Sequence, residues 1–242
     1  MLLAEPTLHW KREASAMELA VSWELAAKTD SGLPQQVAEV LDRHASTAGA
    51  QLLFAIPEHR VALPGGSRPS QTDLWAVLKV SGGWASVAVE GKAGEPFGSS
   101  INEWLREPSP GKTTRLDALR RTLGLGTAPL PHLRYQLFHR SASAALEAVR
   151  IGANTAVVLV QNFRADTTCW ADFEAFVSQF GVSATRGGVC EATCPGVERL
   201  LFAWVDCPTA SDAELARAVE GAGAAAPPRS RFERGEGRCE GK

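Results

Sequence analysis

The sequence predicts an α/β fold in which a mixed central sheet is flanked by helices, and three observations predict it. The 242 residues, 45% of them hydrophobic, are enough to bury one substantial core. Two helix-like stretches precede a set of short strands near the start of the chain. Two later apolar runs, "TAVVLVQNF" and "ERLLFAWVDCP", read as strands covered on both faces, and helical stretches before each imply crossover connections.

In chain order, residues 12–28 place Met17, Leu19, Ala20, Val21, Trp23 and Leu25 at helical spacing. "SGLPQQVAEVLDRHA" follows, with Ser31 as a cap, Pro34 in the first turn and an apolar stripe of Val37, Val40 and Leu41. "AQLLFAIPEH" predicts a strand ended by its proline, and "LPGGSRPSQ" supplies turn chemistry. A hairpin over residues 72–92 comes next. "TTRLDALRRTLGL" predicts a basic helix stopped by Gly124 or Gly126, and "RYQLFHRSASAALEAVRIG" a helix stopped by Gly152. "TCWADFEAFVSQFG" predicts one more helix, between the two late strands. Residues 1–221 are expected to form one domain, with a disordered tail over 222–242 where apolar periodicity stops.

The net charge of −2 gives no whole-protein case for a polyanionic partner. Charge is nevertheless unevenly spread: residues 100–150 hold eight Arg/Lys against four Asp/Glu, and residues 165–220 three against nine. No window approaches the roughly 20 apolar residues of a membrane span, so the expectation is a cytoplasmic protein without membrane partners. Five cysteines (Cys169, Cys190, Cys194, Cys207 and Cys239) without CxxC pairing argue against a disulfide framework. "SPGKTTRL" contains Gly-Lys-Thr but lacks the first glycine and the leading strand of a phosphate loop, so it reads as a helix start.

The hairpin carries the chemistry. With Gly82-Gly83 as the turn, Asp73 faces Lys92 and Trp75 faces Glu90. Leu74, Ala76, Leu78 and Val80 then share an apolar face with Ala85, Val87 and Val89, and a one-residue slip would split that set. The opposite face gathers Asp73, Glu90 and Lys92 at one end, beside Trp75, Val77, Trp84 and Ala88. Opposed side chains lie about 5 Å apart and diagonal ones about 7 Å. Two carboxylates at that spacing suit a divalent cation, and a neighbouring lysine suits orienting or deprotonating a water.

At these residues the sequence resembles the PD-(D/E)XK, or restriction-endonuclease-like, nuclease superfamily. Asp73 stands for the acidic residue of one strand, and Glu90-Gly91-Lys92 for the Glu-x-Lys across the hairpin. The resemblance covers about residues 34–161 as the core, leaving 162–221 as an extension. It implies a restriction-endonuclease-like core, Asp73 and Glu90 as ligands of Mg2+ or Mn2+, Gly91 as a carbonyl ligand, and Lys92 as the residue acting on water. Glu39 would be the acid some branches carry on the preceding helix, and Gln136 the glutamine some carry on the helix after the hairpin, here without the usual tyrosine spacing. Thr72 replaces the proline common before the acid. The wider run "PGGSRPSQTDLW... VAVEGKAGEPFG... SPGKTTRL... RYQLFHR" also resembles an uncharacterised bacterial family.

Other polar residues are placed around this site. Arg68 and Gln71 precede Asp73 on a loop that would touch the scissile phosphate, and Lys112 and Arg115 would contact phosphates from the basic helix. Arg134, Gln136, His139 and Arg140 sit on one helix but point in different directions, so they are not expected to serve one site together. Glu95 is either a further ligand or a loop carboxylate. The expected activity is metal-dependent phosphodiester hydrolysis, of DNA ahead of RNA. The rival is a non-catalytic module that keeps the fold and binds a partner, or its own copy, through a Trp75/Trp84 face.

Overall fold

The structure is a computed structural model and describes residues 13–164 and 167–224. Two helices, α1 (Ser15–Ala26) and α2 (Gln35–Leu41), precede three strands, β1 (Gln51–Val61), β2 (Ser70–Val80) and β3 (Gly83–Lys92). Helices α3 (Ile101–Trp104), α4 (Pro110–Leu123) and α5 (Tyr135–Ile151) lead to β4 (Thr155–Asn162). Then follow α6 (Thr167–Val177), a 3-10 turn (Ser178–Phe180), β5 (Val189–Cys194), β6 (Val197–Asp206) and α7 (Asp212–Ala224). The six strands form one mixed sheet in the order β1-β2-β3-β4-β6-β5. β1, β2 and β3 are antiparallel neighbours, and β4 runs parallel to both β3 and β6.

Helices cover both faces, so the central strands need apolar residues on each side. On one face Leu19 and Trp23 of α1 and Val37, Val40 and Leu41 of α2 pack on Leu74, Leu78, Val87, Val157 and Leu201. On the other, Leu119 of α4, Leu137 and Phe138 of α5, and Phe173 and Phe176 of α6 meet Val158, Val160, Phe202 and Trp204. β4 is buried along its whole length, its apolar centre at 156–160 and its polar ends Thr155, Gln161 and Asn162 alike. Gly124 and Gly152 end α4 and α5 in the left-handed region at φ 68° and 69°, where glycine carries no Cβ penalty.

Four details differ from the sequence expectation. β1 does not stop at Pro57 but continues to Val61, because β1 is an edge strand and an edge tolerates a residue without a backbone N–H. The hairpin turn is Ser81-Gly82, since Val80 pairs with Gly83, and each partner therefore shifts by two residues. A two-residue shift leaves every side chain on its expected face. Trp75 is buried against Phe54 and His59 while Trp84 stays exposed, so the two tryptophans do not form a joint surface. α3, β5 and α7 add to the predicted elements. α7 runs through Ala224, and the remainder of the predicted tail lies outside the described residues.

Candidate active site

The observed register aligns three carboxylates across three strands. Leu74 pairs with Val89, so the next rung sets Asp73 opposite Glu90. Pro57 pairs with Leu74 and His59 with Thr72, which puts Glu58 opposite Asp73 on the other side. Glu58 adopts φ 56°, an uncommon backbone conformation for a residue with a side chain, at the rim of the cavity described below.

Glu90 is the hub of the site. Its Oε1 accepts from Lys92 Nζ at 2.9 Å and from Gln136 Nε2 at 2.6 Å, and its Oε2 accepts from Arg140 Nε at 2.5 Å. Arg140 Nη2 also lies 3.6 Å from Asp73 Oδ1, while Asp73 Oδ2 accepts from the Gly91 N–H at 3.0 Å. One guanidinium thus faces both carboxylates. Lys92 further packs over the Phe97 ring, 4.9 Å from its centroid.

Burial sets the electrostatics. Asp73 is pushed up to about 7, first by desolvation and then by the charge of Glu90, with Arg140 and Lys92 drawing it only partly back. Burial also opposes the charge on Glu90, but Arg140 and Lys92 outweigh it and hold the group below the usual carboxylate range. Desolvation disfavours the Lys92 ammonium, and Glu90 reverses that, leaving the amine above its ordinary value. Two carboxylates on the same rung therefore titrate in opposite directions.

The cluster opens into a cavity of about 530 Å³ walled by α1, β1 and the ends of β2 and β3, with Glu24, Glu58, Gln71, Asp73, Glu90 and Arg140 on its lining. Gly91 allows α1 to form that wall: a Cβ there would stand 3.3 Å from the Ser15 carbonyl oxygen. The donor set fits a hard divalent cation in kind, since Asp73 Oδ1 and Glu90 Oε2 already turn towards one side-chain cation. Among the described residues no three His, Cys, Asp or Glu side chains gather as a metal-holding group.

The remaining predicted residues divide. Gln136 reaches the site, accepting from Lys92 at 3.3 Å as well as donating to Glu90. Gln71 reaches the cavity rim, where it accepts from Arg60 and donates to Glu58. Arg68 is exposed. Glu39 does not line the cavity; it is exposed on α2 and accepts from Gln35, one helical turn away. Glu95 folds back to accept the Ala93 N–H. Arg115, expected on phosphate, instead points inward and donates to the carbonyls of Leu63, Pro64 and Gly66. Lys112 spends its ammonium on the Trp104 and Glu107 carbonyls.

Arg140 and Glu58 are the residues sequence reasoning missed. Gln136 and Arg140 are four apart on α5 and so share a face, while Arg134 turns away to Asp172 and Gly98. That spacing was the available signal for Arg140. Glu58 had none, because its place depends on the pairing of β1 with β2.

A family model described as a domain of unknown function, DUF6946, matches residues 1–209. The chain belongs to that family. No curated protein matches the chain, and no solved structure does. The DUF6946 match spans every element that builds the site, from the α1 wall through β1–β3 to α5. No helix among the described residues is long and apolar enough to cross a membrane.

Proposed function

We propose that this protein is a metal-dependent nuclease that hydrolyses phosphodiester bonds, of DNA in the first instance. The reading rests on one observation: Asp73 and Glu90 oppose each other at the end of the hairpin, beside Lys92, with their facing oxygens aimed at a single cation in an open cavity. The resemblance to the PD-(D/E)XK superfamily gives that arrangement its chemistry, and three antiparallel strands joined to a parallel fourth agree with its core.

Asp73 and Glu90 would hold Mg2+ or Mn2+, with the Gly91 carbonyl as the third protein ligand implied by the resemblance. When bound, such an ion neutralises phosphate charge and makes water a better nucleophile. Lys92 stays protonated beside Glu90, so it donates hydrogen bonds and positive charge rather than acting as the base. Gln136 holds Lys92 and Glu90 in register from the helix side. Arg68, exposed on the loop before β2, is placed to meet the nucleic-acid backbone.

The test is cleavage of plasmid, single-stranded DNA and RNA in Mg2+ or Mn2+ by wild type, Asp73→Asn and Lys92→Met, with folding verified by circular dichroism. The two variants should lose at least about 100-fold in rate. No cleavage by folded wild-type protein, or undiminished cleavage by both variants, would sink the proposal.

A homodimerising module without chemistry is the second reading, and it now draws on β1 instead of the two tryptophans. This edge strand exposes Leu53, Phe54 and Ile56, an apolar edge of the kind that pairs with another chain. Light scattering across protein concentrations separates the readings. A monomer at all concentrations dismisses the second, and a dimer broken by Phe54→Lys favours it.

A further inference from the structure

We propose that Arg140 and a divalent cation compete for Asp73 Oδ1 and Glu90 Oε2, so that the ion binds only as the guanidinium withdraws. This rests on the metal-site reading above and adds to it a residue of this chain that sets the affinity of the site.

The oxygen inventory carries the inference. Glu90 Oε1 already accepts from Lys92 and Gln136, and Asp73 Oδ2 accepts from Gly91, so Glu90 Oε2 and Asp73 Oδ1 are the oxygens least engaged by the rest of the site. Both of those oxygens face Arg140, at 2.5 Å and 3.6 Å. A hard ion needs its oxygens at about 2.1 Å, which a guanidinium seated on the same two oxygens does not permit.

Charge balance points the same way. Asp73 and Glu90 together carry two negative charges when ionised, and Lys92 and Arg140 carry two positive charges in the same cluster, in which Glu90, Lys92 and Arg140 are buried and Asp73 is partly exposed. A doubly charged ion added over a retained Arg140 would leave an uncompensated charge of +2, and buried charge without a partner is strongly disfavoured. Withdrawal has a destination because Glu58, the next carboxylate across the sheet, lines the same cavity as Arg140. The guanidinium therefore has an anionic place to go.

The experiment is calorimetric titration of the full chain with Mn2+, comparing wild type, Arg140→Gln, Asp73→Asn and the double variant. Arg140→Gln should bind Mn2+ between about 5-fold and about 150-fold more tightly than wild type, the range spanned by coupled sites. Asp73→Asn should abolish binding in either background. Removing a purely structural arginine would lower stability without tightening the metal.

If Arg140→Gln does not fold, wild type provides the second readout. Mg2+ titration followed by NMR of arginine Nε–H groups should move the Arg140 signal out of its carboxylate-bonded position at the calorimetric midpoint. Mn2+ affinity unchanged or weaker in folded Arg140→Gln, or an Arg140 signal that stays in place as Mg2+ binds, overturns the competition while leaving the metal site standing. Absence of Mn2+ binding in both wild type and Arg140→Gln overturns both.

Discussion

Gln136 Nε2 lies 2.6 Å from Glu90 Oε1, the same oxygen that accepts from Lys92. Because Gln136 Oε1 in turn accepts from Lys92, its amide has one satisfying orientation, with NH2 to the carboxylate and oxygen to the ammonium. Gln136→Ala removes two hydrogen bonds to charged groups and should destabilise the fold by about 1.5–3 kcal/mol. Gln136→Glu should cost more, because it brings a carboxylate against Glu90. Urea denaturation measures both, and equal stabilities for the two variants would contradict this account.

Asp73 gives stability a particular pH dependence. Its pKa rises from 3.8 to about 7 in the fold, so between those values the folded protein binds more protons than the unfolded chain. Stability contributed by this group is complete below pH about 4 and is lost as pH rises through about 7. Glu90 works in the opposite sense: its contribution is present above its ordinary pKa and is lost only as acid reaches its depressed folded value. Asp73→Asn should therefore gain thermal stability relative to wild type on going from about pH 5 to about pH 8. A melting difference that does not change with pH would refute a half-buried Asp73 that takes up a proton on folding.

Removing Glu90 tests whether the cluster acts as a unit. Glu90→Gln leaves Arg140 and Lys92 buried without their common carboxylate and should cost about 3–5 kcal/mol. Adding Arg140→Met to that variant should recover part of the loss, so the two changes are non-additive. A double-mutant cycle by chemical denaturation that closes additively would show that the two side chains stabilise the fold independently.

The hairpin was legible because alternation and a glycine turn are local signals. Its exact pairing was not, since a period of two cannot distinguish registers two residues apart. The same limit hid Glu58, whose position opposite Asp73 follows from β1–β2 pairing and a positive φ that no residue pattern announces. Arg140 is hidden differently: Arg134 diverges from Gln136 at the start of the helix, and that divergence masks the face that Gln136 and Arg140 share. Arg115 shows the converse, a cation on a basic helix whose carbonyl partners come from a loop some 50 residues earlier. Charge counts along the chain cannot tell a solvent-facing arginine from one folded inward.

The tryptophans of the hairpin should respond unequally to substitution. Trp75 is buried, stacks on His59 at 4.5 Å between centroids and donates to Ser86 Oγ, so Trp75→Ala should cost about 3–5 kcal/mol. Trp84 is 46% exposed, and Trp84→Ala should change stability by no more than about 0.5 kcal/mol. Thermal unfolding of the two variants checks the contrast, which comparable losses would erase.

Arg68 and Arg115 should separate nucleic-acid binding from loop stability, because Arg115 is turned inward onto the loop before β2 while Arg68 stands exposed on it. Arg115 donates to three carbonyls of residues 63–66, and Gly65 and Gly111 meet so closely beside it that a Cβ on Gly111 would stand 2.6 Å from the Gly65 oxygen. The glycine of "PGK" is thus explained by packing. Arg115→Met should lower stability by more than about 1.5 kcal/mol while leaving the salt dependence of DNA binding by the folded protein unchanged. Arg68→Ala, at an exposed position, should melt like wild type but reduce the slope of log K against log salt by about 1. Fluorescence anisotropy across a salt series reads the slopes. A reduced slope for Arg115→Met with an unchanged melting temperature would return that arginine to the phosphate-contacting role its place on a basic helix suggests.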